Sequence, residues 1–113
     1  MNYAEMSDFE INKLVTKHLL TDGWKYNEKE KGFIFESDGD LYRIYDYCNN
    51  PSDAWLIIVE NDIMLNPNCA DLLWKAEQGF RVKPSGFYDV AVAYNKNPLR
   101  AAMIVFLMMN EDK

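Results

Sequence analysis

The apolar positions of this chain change period several times, and each change predicts an element. Ile11, Leu14, Val15 and His18 recur at i, i+3, i+4 and i+7, which places them on one helix face. Ser7-Asp8-Phe9-Glu10, just ahead, has the form of a capping box, with Ser at the N-cap and Glu at N3. A helix is therefore predicted to about Leu20, with Glu10, Lys13 and Lys17 on its wetter side and Thr21-Asp22-Gly23 as its glycine-capped end. The period then falls toward two. Trp24-Lys25-Tyr26 reads as a short strand, Glu28 to Lys31 as a charged turn, and Phe33 to Glu36 as a strand. Ser37-Asp38-Gly39-Asp40 suits a type I′ hairpin turn. The return strand is expected over Leu41 to Tyr47, with Tyr42, Ile44 and Asp46 on one face and Leu41, Arg43, Tyr45 and Tyr47 on the other.

Two later runs have no polar break at all. Ala54 to Val59 follows Asn50-Pro51, and Ala101 to Met109 follows Asn97-Pro98. Asparagine can cap a helix through its side-chain oxygen, and proline fits the first helical position because no partner is needed for its missing N–H. Both runs are predicted as helices buried on every side. The second contains Ala-Ala, Leu and three Met, which favours helix over a buried strand. Its nine apolar residues fall far short of the ~20 needed to cross a bilayer. Between the runs, Ile63-Met64-Leu65 reads as extended and Asn66-Pro67-Asn68 as a turn. Leu73 to Glu77 reads as a strand, Gln78 to Gly86 as an exposed connection, and Phe87 to Tyr94 as the clearest strand. The order predicts a single α+β domain over residues 1–113, an antiparallel sheet packed by about three helices.

Asn50-Pro51-Ser52-Asp53-Ala54 and Asn97-Pro98-Leu99-Arg100-Ala101 match at the cap, the proline and the alanine. Arg100 then lies in a first turn, where the helix dipole disfavours a cation, so an anionic partner is expected. Asp53 occupies the equivalent position and is the predicted partner, with Asp46 or Glu60 next.

Composition narrows the function classes. A 113-residue chain that is 49% hydrophobic and 14% aromatic can bury a real core. The net charge is −6, and the window Glu36 to Asp62 holds seven acids against the single base Arg43, which accounts for all of it. Lys and Arg are not clustered as phosphate tracking requires, so direct nucleic-acid binding is disfavoured. The N-terminal residues lack a signal-peptide pattern, which implies a cytoplasmic protein with Cys48 and Cys69 as free thiols.

Few catalytic constellations survive. His18 is the only histidine, and it is expected to be a core or boundary residue. There is no phosphate-cradling glycine loop and no zinc ligand set. Asp38-Gly39-Asp40 lacks the remaining ligands of a calcium loop. No metal or cofactor is expected. The best candidate surface is the predicted strand-to-helix junction with Tyr45, Asp46, Tyr47, Asn49, Asn50 and Asp53, joined by Arg43 and Arg100 as positive members. The same Asp and Asn residues could simply hold turns and caps.

The strings Met6-Ser7-Asp8-Phe9-Glu10-Ile11-Asn12-Lys13, Asp46 to Trp55, Ile57-Ile58-Val59-Glu60-Asn61 and Asn97 to Leu107 resemble the NinX-like family of small phage and prophage proteins. Residues 66–96 carry no matching motif. The resemblance implies a phage accessory protein in the cytoplasm of a bacterial host, and it transfers no catalytic residue. Two readings follow. In the first, a non-enzymatic protein binds a host or phage protein through its acidic, tyrosine-rich middle. In the second, an enzyme modifies a small molecule or nucleotide with the Asp46–Asp53 loop and Arg100. Self-association as a homodimer is a third possibility, since tyrosine and methionine are common in interfaces.

Overall fold

The computed structural model describes residues 2–68, 72–78, 81–82 and 88–111. The chain begins with a 3-10 turn at Tyr3–Glu5 and helix α1 at Asp8–Leu19. It continues through β1 (Trp24–Asn27), β2 (Gly32–Phe35), β3 (Leu41–Arg43) and α2 (Pro51–Glu60). Then come β4 (Ile63–Asn68), β5 (Leu73–Gln78), β6 (Arg81–Val82), β7 (Tyr88–Asp89), β8 (Val92–Asn95) and α3 (Pro98–Met109). The strands form two three-stranded antiparallel sheets, β1-β2-β3 and β4-β5-β8, and a two-stranded ribbon, β6-β7. The α+β class holds, with the predicted sheet divided in two. No helix among the described residues is long and apolar enough to cross a membrane.

The predicted C-terminal plug is α3. Asn97 caps it by accepting from the Leu99 and Arg100 N–H groups, and Pro98 occupies the first turn. Residues 100–107 and Met109 are buried, and Pro98, Leu99 and Met108 stand half-buried. The helix packs on α1, α2, β4, β5 and β8, so the main core forms around it. Ala76 and Ala93, paired across β5 and β8, are small and buried, and they give α3 close access to the sheet.

The second apolar run behaves differently. Asn50 caps α2 and Pro51 opens it as predicted, but only Ala54, Ile57 and Ile58 are buried. Trp55 is 64%, Leu56 61% and Val59 49% exposed. A helix apolar all round needs neighbours all round, and the elements α2 packs on most are α3 and β4.

The buried side of α1 also differs from the periodic reading. Ile11 and Val15 are fully buried as expected, but Asn12 and Thr16 accompany them, while His18 is exposed with its ring edge on Phe106. The face is rotated because buried polar residues can join it once they are hydrogen-bonded. The Thr16 hydroxyl donates to the Asn12 carbonyl at 2.9 Å, within the helix itself.

Several turns follow a shared plan that differs from the predicted one. Asp38 does not have positive φ, so the type I′ turn does not form. Instead Phe35 N–H donates to Asp40 O and Gly39 N–H to Phe35 O, closing a longer loop with Gly39 at φ 71°. The β1–β2 loop between paired Asn27 and Gly32 ends likewise in Lys31 at φ 50°, and Leu72, just before β5, has φ 57°. The first helix ends at Leu19, and Gly23 is a separate left-handed turn at φ 99° leading into β1, with no room for a Cβ against the Phe35 ring.

Three strand predictions need correction. The return strand stops at Arg43, because residues 44–47 leave the sheet to meet α1. Asn66-Pro67-Asn68 is the end of β4 and not a turn. Pro67 is tolerated there because β4 lies at the edge of its sheet. The expected Phe87–Tyr94 strand is two strands, β7 and β8, separated at Val90-Ala91; Phe87 lies outside the described residues. From the pair Glu77↔Val92 to the pair Arg81↔Asp89 one strand advances by four residues and the other by three, a one-residue shift of register. The predicted exposed connection therefore contains β6 at Arg81–Val82, and its residues 79–80 and 83–86 lie outside the described residues, as does Cys69.

Candidate functional site

The eight predicted site residues do not form one site. The structure divides them into a structural knot, an open groove and one isolated cation.

The knot forms where the starts of α1, α2 and α3 converge. Asp46 Oδ1 accepts from Asn12 Nδ2 at 3.0 Å and from Asn49 Nδ2 at 3.1 Å. Asn49 Nδ2 also donates to Asp8 Oδ2, and Asn49 Oδ1 accepts from Asn97 Nδ2. The same Asn97 amide donates to the Cys48 carbonyl at 2.6 Å, while Cys48 N–H donates to Asn12 Oδ1. One asparagine thus caps α3 with its oxygen and clamps the 46–50 loop with its nitrogen. Asn50 has the simpler role of capping α2 through Ser52. For Asp46, Asn49 and Asn50 the turn-and-cap reading accounts for every bond.

Arg100 completes the knot and overturns the predicted ion pair. Its partner is Asp8 at 2.6 Å, not Asp53, Asp46 or Glu60. The guanidinium also donates to the carbonyls of Tyr3 at 3.0 Å and Met6 at 2.6 Å. The physical reason is which helices meet. Arg100 projects from the first turn of α3 toward the segment that leads into α1, so Asp8, at the start of α1, is the nearer acid. Three helix N-termini bring positive dipole ends together here, and the carboxylates of Asp8 and Asp46 offset them. Asp8 is held below the usual carboxylate range, first by the Asn49 amide and then by Arg100, against the opposing effect of burial. Cys48, buried beside these acids, has its thiol pushed up to about 12 by burial, which keeps it protonated and unreactive.

The groove lies on the other side of the loop. It is an open cleft of about 250 Å³ between the end of α1, the Tyr42–Tyr47 segment and α2. Tyr47 and Ile57, both buried, lie at its base. Leu19, Tyr45 and Leu56 are exposed in its walls, with half-buried Tyr42 beside them. Ser52, Asp53 and Glu60 supply the polar part of the lining, and no Lys or Arg among the described residues belongs to it. The tyrosines stack edge-to-face in series, Tyr42 on Tyr45 and Tyr45 on Tyr47, which fixes the wall. The Tyr47 pKa is pushed up to about 12, mainly by burial, with the neighbouring Thr16, Tyr42 and Asp53 side chains as smaller influences.

Arg43 enters neither arrangement. It is exposed at the end of β3, with no ion pair to a described residue. Leu56 is what the sequence reading missed, because an unbroken apolar run hides which of its members face water.

Of the further hollows outside this groove, two adjoin the knot and the α1–α3 seam. One, of about 310 Å³, opens beside Asp8, Asn12, Asp46 and Asn49, whose carboxylates are already engaged by the asparagine amides. The other, of about 400 Å³, is lined by Tyr3, Leu14, Lys17, His18, Leu107, Asn110 and Glu111. There the Tyr3 hydroxyl donates to Glu111, and burial lowers the His18 pKa, so the ring is neutral near pH 7. No group of three or more His, Cys, Asp or Glu residues among those described could hold a metal ion.

No curated protein and no solved structure matches the chain. A family profile described as Bacteriophage P22, NinX matches residues 2–110, nearly its whole length. The match runs through the knot, the groove and the central helix alike, and the chain belongs to this phage NinX family.

Proposed function

We propose that this phage accessory protein acts by binding another protein, host or phage, through the groove beside α2. The observation that carries the reading is the exposure of Leu56 at 61% and Trp55 at 64% on a well-capped helix, next to a tyrosine-walled cleft. A helix with one face in the core normally turns its polar side to water, and an exposed apolar face rimmed by acids is characteristic of a docking surface. A volume of about 250 Å³ is small for enclosing a metabolite, since ligand pockets run to roughly 300–1,000 Å³. It suits a single inserted side chain.

An enzyme using the Asp46–Asp53 loop with Arg100 finds less support. The guanidinium is bonded to Asp8, Tyr3 and Met6, and Arg100 lines neither the groove nor the hollow beside Asp46 and Asn49.

The test is site-specific photocrosslinking during phage infection, with a photoreactive residue at Leu56 and, separately, at Glu30 in the β1–β2 turn. A discrete crosslinked protein at position 56, absent at position 30, is the expected result. No crosslink at position 56, or the same products at both positions, would remove the proposal.

A further inference from the structure

We infer that the groove accepts a basic segment of a partner protein, anchored by one bulky apolar side chain between Tyr45 and Leu56. The inference rests on the protein-binding reading above and adds the chemistry of the partner.

Shape supplies the first reason. The base of the cleft is Tyr47 and Ile57, both buried, so an inserted group meets ring and aliphatic carbon. An apolar side chain therefore gains contacts there, whereas a polar one would lose its water. The stacked tyrosines keep the wall in place before the partner arrives, which reduces the ordering cost of binding.

Charge supplies the second. Asp53 and Glu60 lie seven positions apart on α2, two helical turns, and both line the cleft. Among the described residues neither forms an ion pair, and no cation lines the groove with them. The surface thus presents two unneutralised carboxylates, one before and one after the apolar gap. Lys or Arg residues flanking the anchor would meet both, and acidic residues would be repelled. The exposed stripe Trp55–Val59, at i and i+4 beside the groove, extends the apolar contact along the helix.

The test uses designed peptides and the intact protein. A Lys/Leu amphipathic helix of about 14 residues, long enough to hold some helix in water, is compared with Glu/Leu and Lys/Ser versions by fluorescence anisotropy. The Lys/Leu peptide should bind at least about tenfold tighter than either, since one well-placed interaction of ~1.4 kcal/mol gives that factor. The double variant Asp53→Lys/Glu60→Lys should lose that preference, while Glu28→Lys/Glu30→Lys, with the same change in net charge, should keep it. Leu56→Asp should weaken binding with the fold retained by circular dichroism, and Tyr45→Ser should do the same as a second wall variant. Equal losses in the two charge-swap variants would reveal general attraction to an acidic protein and overturn the inference. So would equal binding of the Lys/Ser peptide, or tighter binding of the Glu/Leu one. Crosslinking at Leu56 separates the two levels. A captured partner whose crosslinked segment is acidic, or a second copy of this chain, would sink the basic-segment inference alone. Absence of any specific crosslink would sink the protein-binding reading as well.

Discussion

A guanidinium in the first turn of a helix faces the positive end of the dipole, and Arg100 sits there with only 9% of its surface exposed. It is retained because three acceptors meet it: one carboxylate and two backbone carbonyls that precede α1. The Asp8 side chain is 44% exposed, so solvent screens much of the ion pair. The two carbonyl bonds are therefore the larger part, since hydrogen bonds to a charged group contribute about 1.5–3 kcal/mol each. Arg100→Ala should cost roughly 3–5 kcal/mol, and Arg100→Lys roughly 2–3 because a point charge cannot reach all three acceptors. Urea titration should show the midpoint falling at unchanged slope, and a smaller loss for Asp8→Asn. Asp8 also makes stability depend on acid. Its folded pKa lies below its unfolded value, so the unfolded chain takes up the proton first. The contribution is complete above the unfolded value, about pH 4, and is lost as pH falls through the folded one. Asp8→Asn should flatten the decline of midpoint denaturant concentration below about pH 4. A decline of unchanged steepness would show that other carboxylates produce it.

At the scale of the element, α2 presents the same residue types to two environments. Ile57 is buried at 5% exposure and Leu56 is open, one position apart. Ile57→Ala should cost about 2–5 kcal/mol through lost contacts and a cavity. Leu56→Asp should stay within about 0.5 kcal/mol of wild type, because nothing packs over it. Chemical denaturation of the pair distinguishes an open face from a buried one, and a large loss for Leu56→Asp would mean the helix is covered. The hairpin loops allow a second comparison. Lys31 holds a left-handed conformation at φ 50°, which costs an L-residue with a Cβ about 1–2 kcal/mol. Lys31→Gly should be neutral or stabilising by up to about 1 kcal/mol, the relief of strain being offset by the freer unfolded chain. Gly39→Ala should destabilise by a similar amount. Thermal melts of both variants test the assignment of these loops to one plan.

The whole molecule has an uneven core. The main cluster surrounds α3 and includes residues of α1, α2, β4, β5 and β8. Phe33 is buried but is not part of that cluster. The sheet β1-β2-β3 is joined to the rest instead by the contact of Phe9 with Tyr26, by Lys13 over the Tyr26 ring, and by the Tyr42–Tyr45–Tyr47 series. Elements with few core contacts open at lower free energy than the core. Hydrogen exchange should therefore be faster for the β1–β3 amides than for those of α3, with β5 closer to α3. Uniform protection would mean that the aromatic contacts couple the sheet to the core fully.

Local chemistry decides much of this protein without help from distant residues. The capping box at Ser7, the Asn-Pro openings of α2 and α3, and the unbroken run to Met109 were each legible, because a cap or a period is written in neighbouring positions. The family resemblance was legible for the same reason, in strings of adjacent residues. Tertiary structure decided which of two equally apolar helices would be enclosed, that Arg100 would meet Asp8 and not Asp53, and that the loop asparagines would be tied into a knot. It also brought Leu19, Tyr45 and Leu56 to one cleft across 37 positions of chain. Burial and pairing depend on what the rest of the chain places nearby, and a linear pattern carries no record of that neighbour.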